Sequence, residues 1–268
     1  MMRFEESLHA SWRQAFQVRR TLYHQRTELQ DLVIFENEVF GRVMALDGVI
    51  QTTEQDEPFY HEMMVHVPLL AHGDAKRVLI IGGGDGGCLR EALRHPDVRP
   101  TMVEIDRSVV DLSREFLPHH SAGAFDDPRT DLVIADGLKY VAETDERFDA
   151  IIVDSTDPIG PGEVLFTEAF YRDCQRALTD RGVLVTQNGN PFVQPEEVTD
   201  SFKRFNAAGF ADTTFYLTAV PTYAGGFMTL GWAANDPALR QVDENTLRAR
   251  AARVTGGGMR YYSPAIHR

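Results

Sequence analysis

The chain has 268 residues, with 27 Lys or Arg against 40 Asp or Glu for a net charge of −13, and its 43% apolar and 25% charged content excludes disordered, collagen-like and coiled-coil chains. No run approaches the ~18 to 20 apolar residues of a membrane helix, the start Met1-Met2-Arg3-Phe4-Glu5-Glu6 is too acidic for a secretory leader, and the overall acidity repels a phosphate backbone. The expectation is a soluble, cytoplasmic protein with no nucleic-acid or membrane partner. Only Cys88 and Cys174 are present, without CxxC spacing, so two buried thiols are expected and neither a disulfide framework nor a cysteine zinc site.

From Thr27 to Thr53 apolar residues alternate with polar ones, which predicts antiparallel strands turning at Asn37-Glu38 and, more strongly, at Asp47-Gly48. A β-rich unit over residues 1–60 follows, with residues 61–268 as a second domain. Phe59, Met63, Met64, Val67 and Leu70 recur at helical spacing and predict a linking helix. From Arg77 onward short apolar runs (Val78 to Ile81, Thr101 to Ile105, Leu132 to Ala135, Ala150 to Val153, Val183 to Thr186) alternate with amphipathic segments such as Val109 to Leu117 and Glu163 to Leu178. That rhythm predicts an α/β fold with a mostly parallel, Rossmann-like sheet covered on both faces. Phe215 to Val220 and Phe227 to Trp232 flank a Tyr-Ala-Gly-Gly turn and predict an antiparallel pair at the sheet edge.

Three constellations carry chemistry. Gly82, Gly84 and Gly87 stand in G-x-G-x-x-G register after a strand and before a helix, and Glu104, 22 residues beyond Gly82, ends the next strand where ribose hydroxyls are received. A nucleotide-type ligand is expected, but the carboxylate of Asp85 inside the loop opposes a pyrophosphate and favours a cationic, phosphate-free ligand of the S-adenosylmethionine type. Asp136-Gly137 after another strand is either a plain turn or a cap for an adenine. The run Asp149 to Pro158 ends an apolar strand in Asp154 and Asp157, and the carboxyl ends of strands in an open α/β sheet form the ligand crevice. Asp157 has the alternative of capping the following helix. His61 and His66 are five apart and lie ~140° around a helix, so they do not form a metal pair, and no metal is expected.

Leu46-Asp47-Gly48-Val49-Ile50-Gln51-Thr52-Thr53, Asp56-Glu57, Tyr60-His61-Glu62, the glycine loop, the stretch Asp154 to Gly162 and Val220-Pro221-Thr222-Tyr223 together resemble the polyamine aminopropyltransferases, bacterial spermidine synthases above all. The resemblance spans nearly the whole chain. It implies a class I methyltransferase-like Rossmann domain behind an N-terminal β-hairpin domain, assembled as a homodimer or homotetramer. It also implies transfer of an aminopropyl group from decarboxylated S-adenosylmethionine, a co-substrate, to putrescine, with no further cofactor. By position, Asp154 resembles the catalytic base and Asp157 the group holding the acceptor amine. Gln30, Gln51, Gly82, Gly84, Glu104, Asp136, Gly137 and Pro161 match nucleoside contacts. His61 and Asp85 match positions near the aminopropyl amine, and Tyr60, Gln187 and Tyr223 the polyamine channel. Gly189 stands where some members carry an acidic residue, which leaves acceptor length open between putrescine, cadaverine, agmatine and spermidine. A methyltransferase on the same fold and a non-catalytic polyamine-binding protein are the competing readings.

Overall fold

The computed structural model describes residues 2–27, 29–156 and 164–267. Strands β1 (Met2–Glu5) and β2 (Ala15–Val18) form an antiparallel ribbon, and β3 (Arg20–Arg26), β4 (Asp31–Asn37), β5 (Gly41–Leu46) and β6 (Val49–Thr53) an antiparallel sheet in sequence order. Asp47 and Gly48 turn between β5 and β6 with φ of 48° and 80°, the positive values a two-residue hairpin matched to strand twist requires. The Asn37 side chain makes the other expected turn by accepting the N–H groups of Val39 and Phe40. Strands β1 to β3 lie outside the predicted alternation because most of their side chains stay in contact with solvent, which removes the apolar periodicity. Leu32, Ile34, Met44 and Leu46 share one sheet face and bury it against Val109 and Leu117, so the N-terminal unit is anchored on the α/β part.

Helix α1 (Glu57–His72) connects the two parts, framed by Pro58 in its first turn and Gly73 past its end. Then come β7 (Arg77–Gly82), α2 (Gly87–Leu93), β8 (Arg99–Glu104), α3 (Arg107–Phe116), α4 (Pro118–Ser121), β9 (Asp131–Ile134), α5 (Gly137–Glu143) and β10 (Phe148–Asp154). They are followed by α6 (Glu168–Ala177), β11 (Leu178–Gln187), α7 (Pro195–Ala208), β12 (Asp212–Ala219), β13 (Phe227–Ala234) and α8 (Glu244–Ala251). The sheet order is β12-β13-β11-β10-β7-β8-β9, parallel from β11 to β9 with β13 and β12 antiparallel at one edge, as the alternation predicts. One face packs on α1, α2 and α8, the other on α5, α6 and α7.

The helix expected over Glu163 to Leu178 is shorter. Thr167 accepts the Phe170 N–H and caps α6 at 168, and Leu178 already begins β11. The chain runs outward from β7 to β9 and then returns to β10 on the other side of β7. This reversal opens a crevice at the carboxyl ends of β7 and β10, where Asp154 and Gly82 are register partners.

Candidate active site

A cavity of about 330 Å³ occupies this crevice, roofed by Glu6, Gln30, Met44 and Gln51 of the N-terminal unit. Among the described residues its wall carries six carboxylates (Glu6, Asp47, Asp85, Glu104, Asp136, Asp154) and no lysine or arginine. Such a lining repels phosphate and attracts cations.

Glu104 closes β8. Its Oε1 accepts the Asp106 N–H at 2.8 Å, and burial, reinforced by the Asp106 charge, pushes its carboxyl up to about 7. Asp106 caps α3 through the Ser108 N–H, while its other oxygen takes Gln30 Nε2 at 3.0 Å and Thr27 Oγ1 at 3.1 Å, tying the N-terminal unit to the crevice. Asp136 lines the cavity and is also a helix cap, with Oδ1 accepting the N–H groups of Leu138 and Lys139.

In the glycine loop, Asp85 Oδ1 accepts the Gly87 N–H at 2.8 Å and Oδ2 lies 3.3 Å from His61 Nε2. His61 Nδ1 is 2.6 Å from Glu57 Oε2, one helical turn back. A Cβ at position 87 would stand 2.1 Å from the imidazole, so only glycine lets α2 begin this close to the ring. Burial opposes a charge on His61, but the carboxylates of Asp85 and Glu57 outweigh it and hold the ring protonated. Burial likewise pushes Asp85 up, and the His61 charge more than reverses it.

Tyr60 donates its hydroxyl to Asp154 Oδ1 at 2.9 Å, and the Cys88 thiol donates to the same carboxylate. Burial, with the neighbouring Asp85 charge, leaves Asp154 above its ordinary value despite these donors and the charge on His61. The Tyr223 ring lies 6.0 Å from that of Tyr60, and its hydroxyl donates to the Gln51 carbonyl at 2.6 Å. Asp56 holds the Tyr223 loop by accepting the Thr222 N–H at 2.9 Å and its Oγ1 at 2.7 Å. Potential ligand atoms of His61, Cys88 and Asp154 lie within 4.8 Å of one another. Both His61 nitrogens face carboxylates, however, and an imidazolium has no lone pair to give a metal. His66 points elsewhere, to Glu91 and His95.

Residues 57–244 match the spermine/spermidine synthase domain, and residues 2–54 the spermidine synthase tetramerisation domain. The polyamine aminopropyltransferase of Serratia proteamaculans (strain 568) is 60% identical over 98% of this chain and 91% of its own length. That of Pectobacterium carotovorum subsp. carotovorum (strain PC1) is 58% identical with the same coverage. The chain belongs to the polyamine aminopropyltransferases. Among solved structures, a spermidine synthase in complex with the transition state analogue AdoDATO superposes with a TM-score of 0.93 at 37% identity, over 99% of this chain and 90% of that one. The spermidine synthase of Thermotoga maritima gives 0.91 at 36%, over 100% and 89%.

The family assignment and the fold agree with the sequence reading. Gln30, Gln51, Tyr60, His61, Gly82, Gly84, Asp85, Glu104, Asp136, Gly137, Asp154, Gln187 and Tyr223 all line the one cavity. Asp157 and Pro161 lie outside the described residues; α6 takes its cap from Thr167 rather than from Asp157. Sequence reasoning missed Glu6, a 3% exposed carboxylate on the cavity wall that accepts the Ile50 N–H at 3.0 Å and Gln14 Nε2 at 3.2 Å. It also missed Glu57 as the partner of His61, for which the i, i+4 spacing was the available signal. Asp106 and Cys88 gave none. No helix among the described residues is long and apolar enough to cross a membrane.

Proposed function

We propose that this aminopropyltransferase is a spermidine synthase: it takes decarboxylated S-adenosylmethionine as a co-substrate and putrescine as acceptor, and releases spermidine and methylthioadenosine. The observation that carries the reading is the cavity wall of six carboxylates without a lysine or arginine, which fits a sulfonium and two amines and no phosphate. Glu104 receives the ribose, with Gln30, Gln51 and Asp136 around the nucleoside. Asp85 takes the ammonium of the aminopropyl chain and would oppose the carboxylate of undecarboxylated S-adenosylmethionine, which disfavours methyl transfer. The acceptor lies between Tyr60, Tyr223 and Gln187, with Asp157 as a second amine ligand. Glu6, close to Tyr223 through Gln14 and Thr222, is suited to the far ammonium of a diamine.

An amine with a pKa near 10 carries its proton at pH 7, and freeing the lone pair costs roughly 4 kcal/mol. The sulfonium, a like charge, and exclusion of water lower that cost. Asp154 accepts the proton as the amine nitrogen bonds to the aminopropyl carbon and the carbon–sulfur pair returns to sulfur as a neutral thioether. Tyr60 occupies one Asp154 oxygen and so orients the carboxylate. Alignment of nitrogen, carbon and sulfur contributes up to roughly 7 to 11 kcal/mol. The tetramerisation-domain match supports a homo-oligomer, homodimer or homotetramer.

The test is product analysis by mass spectrometry with both forms of the cofactor and putrescine, cadaverine, agmatine and spermidine as acceptors. Spermidine with methylthioadenosine is the expected outcome. Methylated amine, or preferred use of another acceptor, would replace this assignment.

A further inference from the structure

Behind the cavity wall lies an ionic cluster that substrate does not reach. Neither Glu57 nor Arg90 lines the cavity, yet the Glu57 side chain is 6% exposed and that of Arg90 17%. Arg90 donates to both Glu57 oxygens, at 3.2 Å and 2.8 Å, and also to Glu91 and to the carbonyls of His119 and His120. A buried ion pair of this kind adds little net stability over an apolar replacement, so its use lies in what it fixes. What it fixes is His61: Glu57 Oε2 is shared between Arg90 and Nδ1 of that ring.

We propose that Glu57, clamped by Arg90, is a positioning residue for the aminopropyl ammonium of the donor: it holds His61 with Nε2 on Asp85, and Asp85 with its carboxylate turned to the cavity. The inference rests on the aminopropyl-transfer reading above. An imidazole anchored at Nδ1 by a carboxylate has one orientation and one role for its other nitrogen. Asp85 is pinned from two sides, by His61 on Oδ2 and by the Gly87 N–H on Oδ1. The groups facing His61 are Glu57 and Tyr60 on α1, Asp85 from the glycine loop, Cys88 on α2, Asp154 on β10 and His120 on α4. Arg260 stands 3.8 Å from Glu57 on its far side. The imidazolium is thus the counter-charge that lets Asp85 and Asp154 both stay ionised in a buried wall. Without the Glu57 charge, one of its two carboxylate partners is lost, burial draws the proton off the ring more readily, and the Asp85 carboxylate is held less firmly.

The test uses Glu57→Gln and Arg90→Lys in the full chain. Glu57→Gln should raise KM for decarboxylated S-adenosylmethionine about tenfold, while the Kd of methylthioadenosine, which lacks the aminopropyl chain, stays within a factor of about two. Arg90→Lys keeps the charge without the fork and should give a smaller rise of the same kind. In ¹⁵N-histidine spectra His61 should hold its proton to a higher pH in the wild type than in Glu57→Gln, because the variant removes one of the two carboxylates that keep the ring charged. An unchanged donor KM with unchanged His61 resonances would overturn the proposal, as would a parallel loss of methylthioadenosine affinity, which marks a purely structural role. Absence of transfer by the wild-type enzyme would instead overturn the functional reading, and the His61 resonances would still report whether Glu57 holds the ring.

Discussion

Glu104 offers a quantitative check on the nucleoside half of the site. Its carboxyl is pushed from 4.5 to about 7, first by burial and further by the Asp106 charge. In the empty enzyme the folded state therefore keeps a proton that the unfolded chain releases. The sign follows: the contribution of this group to stability is fully present below about pH 4.5 and is lost as pH rises through about 7. At about 1.4 kcal/mol per pH unit, most of that interval lies between pH 5 and 7.5, so about 2 to 3 kcal/mol should disappear there. Glu104→Gln, which keeps an acceptor for the Asp106 N–H, should lack this slope. Ribose hydroxyls add donors to the carboxylate and favour its ionised form, so methylthioadenosine should bind up to about tenfold more tightly at pH 8 than at pH 6 and release a proton at the lower pH. Urea unfolding across this range measures the first effect, and calorimetry in buffers of different ionisation enthalpy the second. Equal pH slopes for wild type and Glu104→Gln, with an affinity that is flat from pH 6 to 8, would show that Glu104 is ionised in the free enzyme and does not meet the ribose.

The remaining predictions concern the amines. Asp154→Asn should lower turnover by about 10² to 10⁴, the usual worth of a positioned general base, with methylthioadenosine affinity by calorimetry little changed; near-wild-type turnover would move the role to Asp157. Asp85→Asn should weaken decarboxylated S-adenosylmethionine while narrowing its advantage over the carboxylate-bearing form, and competition binding that shows unchanged discrimination would remove Asp85 from the donor site. Glu6→Gln should raise KM for putrescine about tenfold but leave that of the donor alone, and the reverse pattern in steady-state kinetics would place Glu6 elsewhere. Because Gly189 supplies no carboxylate and one methylene is worth only ~1 to 3 kcal/mol in an apolar channel, cadaverine should be turned over more slowly than putrescine; its complete exclusion in the mass-spectrometric assay would contradict this.

Features set by near neighbours in the chain are legible in the sequence. The Asp47-Gly48 hairpin, the glycine loop between an apolar run and a helix, and carboxylates at strand ends each depend on a few consecutive residues, and the rule that parallel strands present their carboxyl ends to a ligand brings Glu104, Asp136 and Asp154 together. Long-range polar pairing is not legible in this way. Tyr60 reaches Asp154 across 94 positions, Gln30 reaches Asp106 across 76, and Asp56 holds Thr222 across 166. Hydrophobic periodicity reports only which side of an element is buried, and α1 is buried nearly all round, so its pattern could not tell the face that presents Tyr60 and His61 to the cavity from the one that does not. Glu6 is the same case in a polar N-terminal ribbon: nothing in its surroundings in the chain marks a carboxylate of the cavity wall, and it becomes one because the β unit folds over the sheet and buries it there. Local pattern along the chain sets the elements, their order and the chemistry available at the strand ends. Which charges share a buried space follows from the packed fold, because the energy of a carboxylate, an imidazolium or a guanidinium depends on desolvation and on partners within a few ångströms, and those partners come from distant parts of the chain.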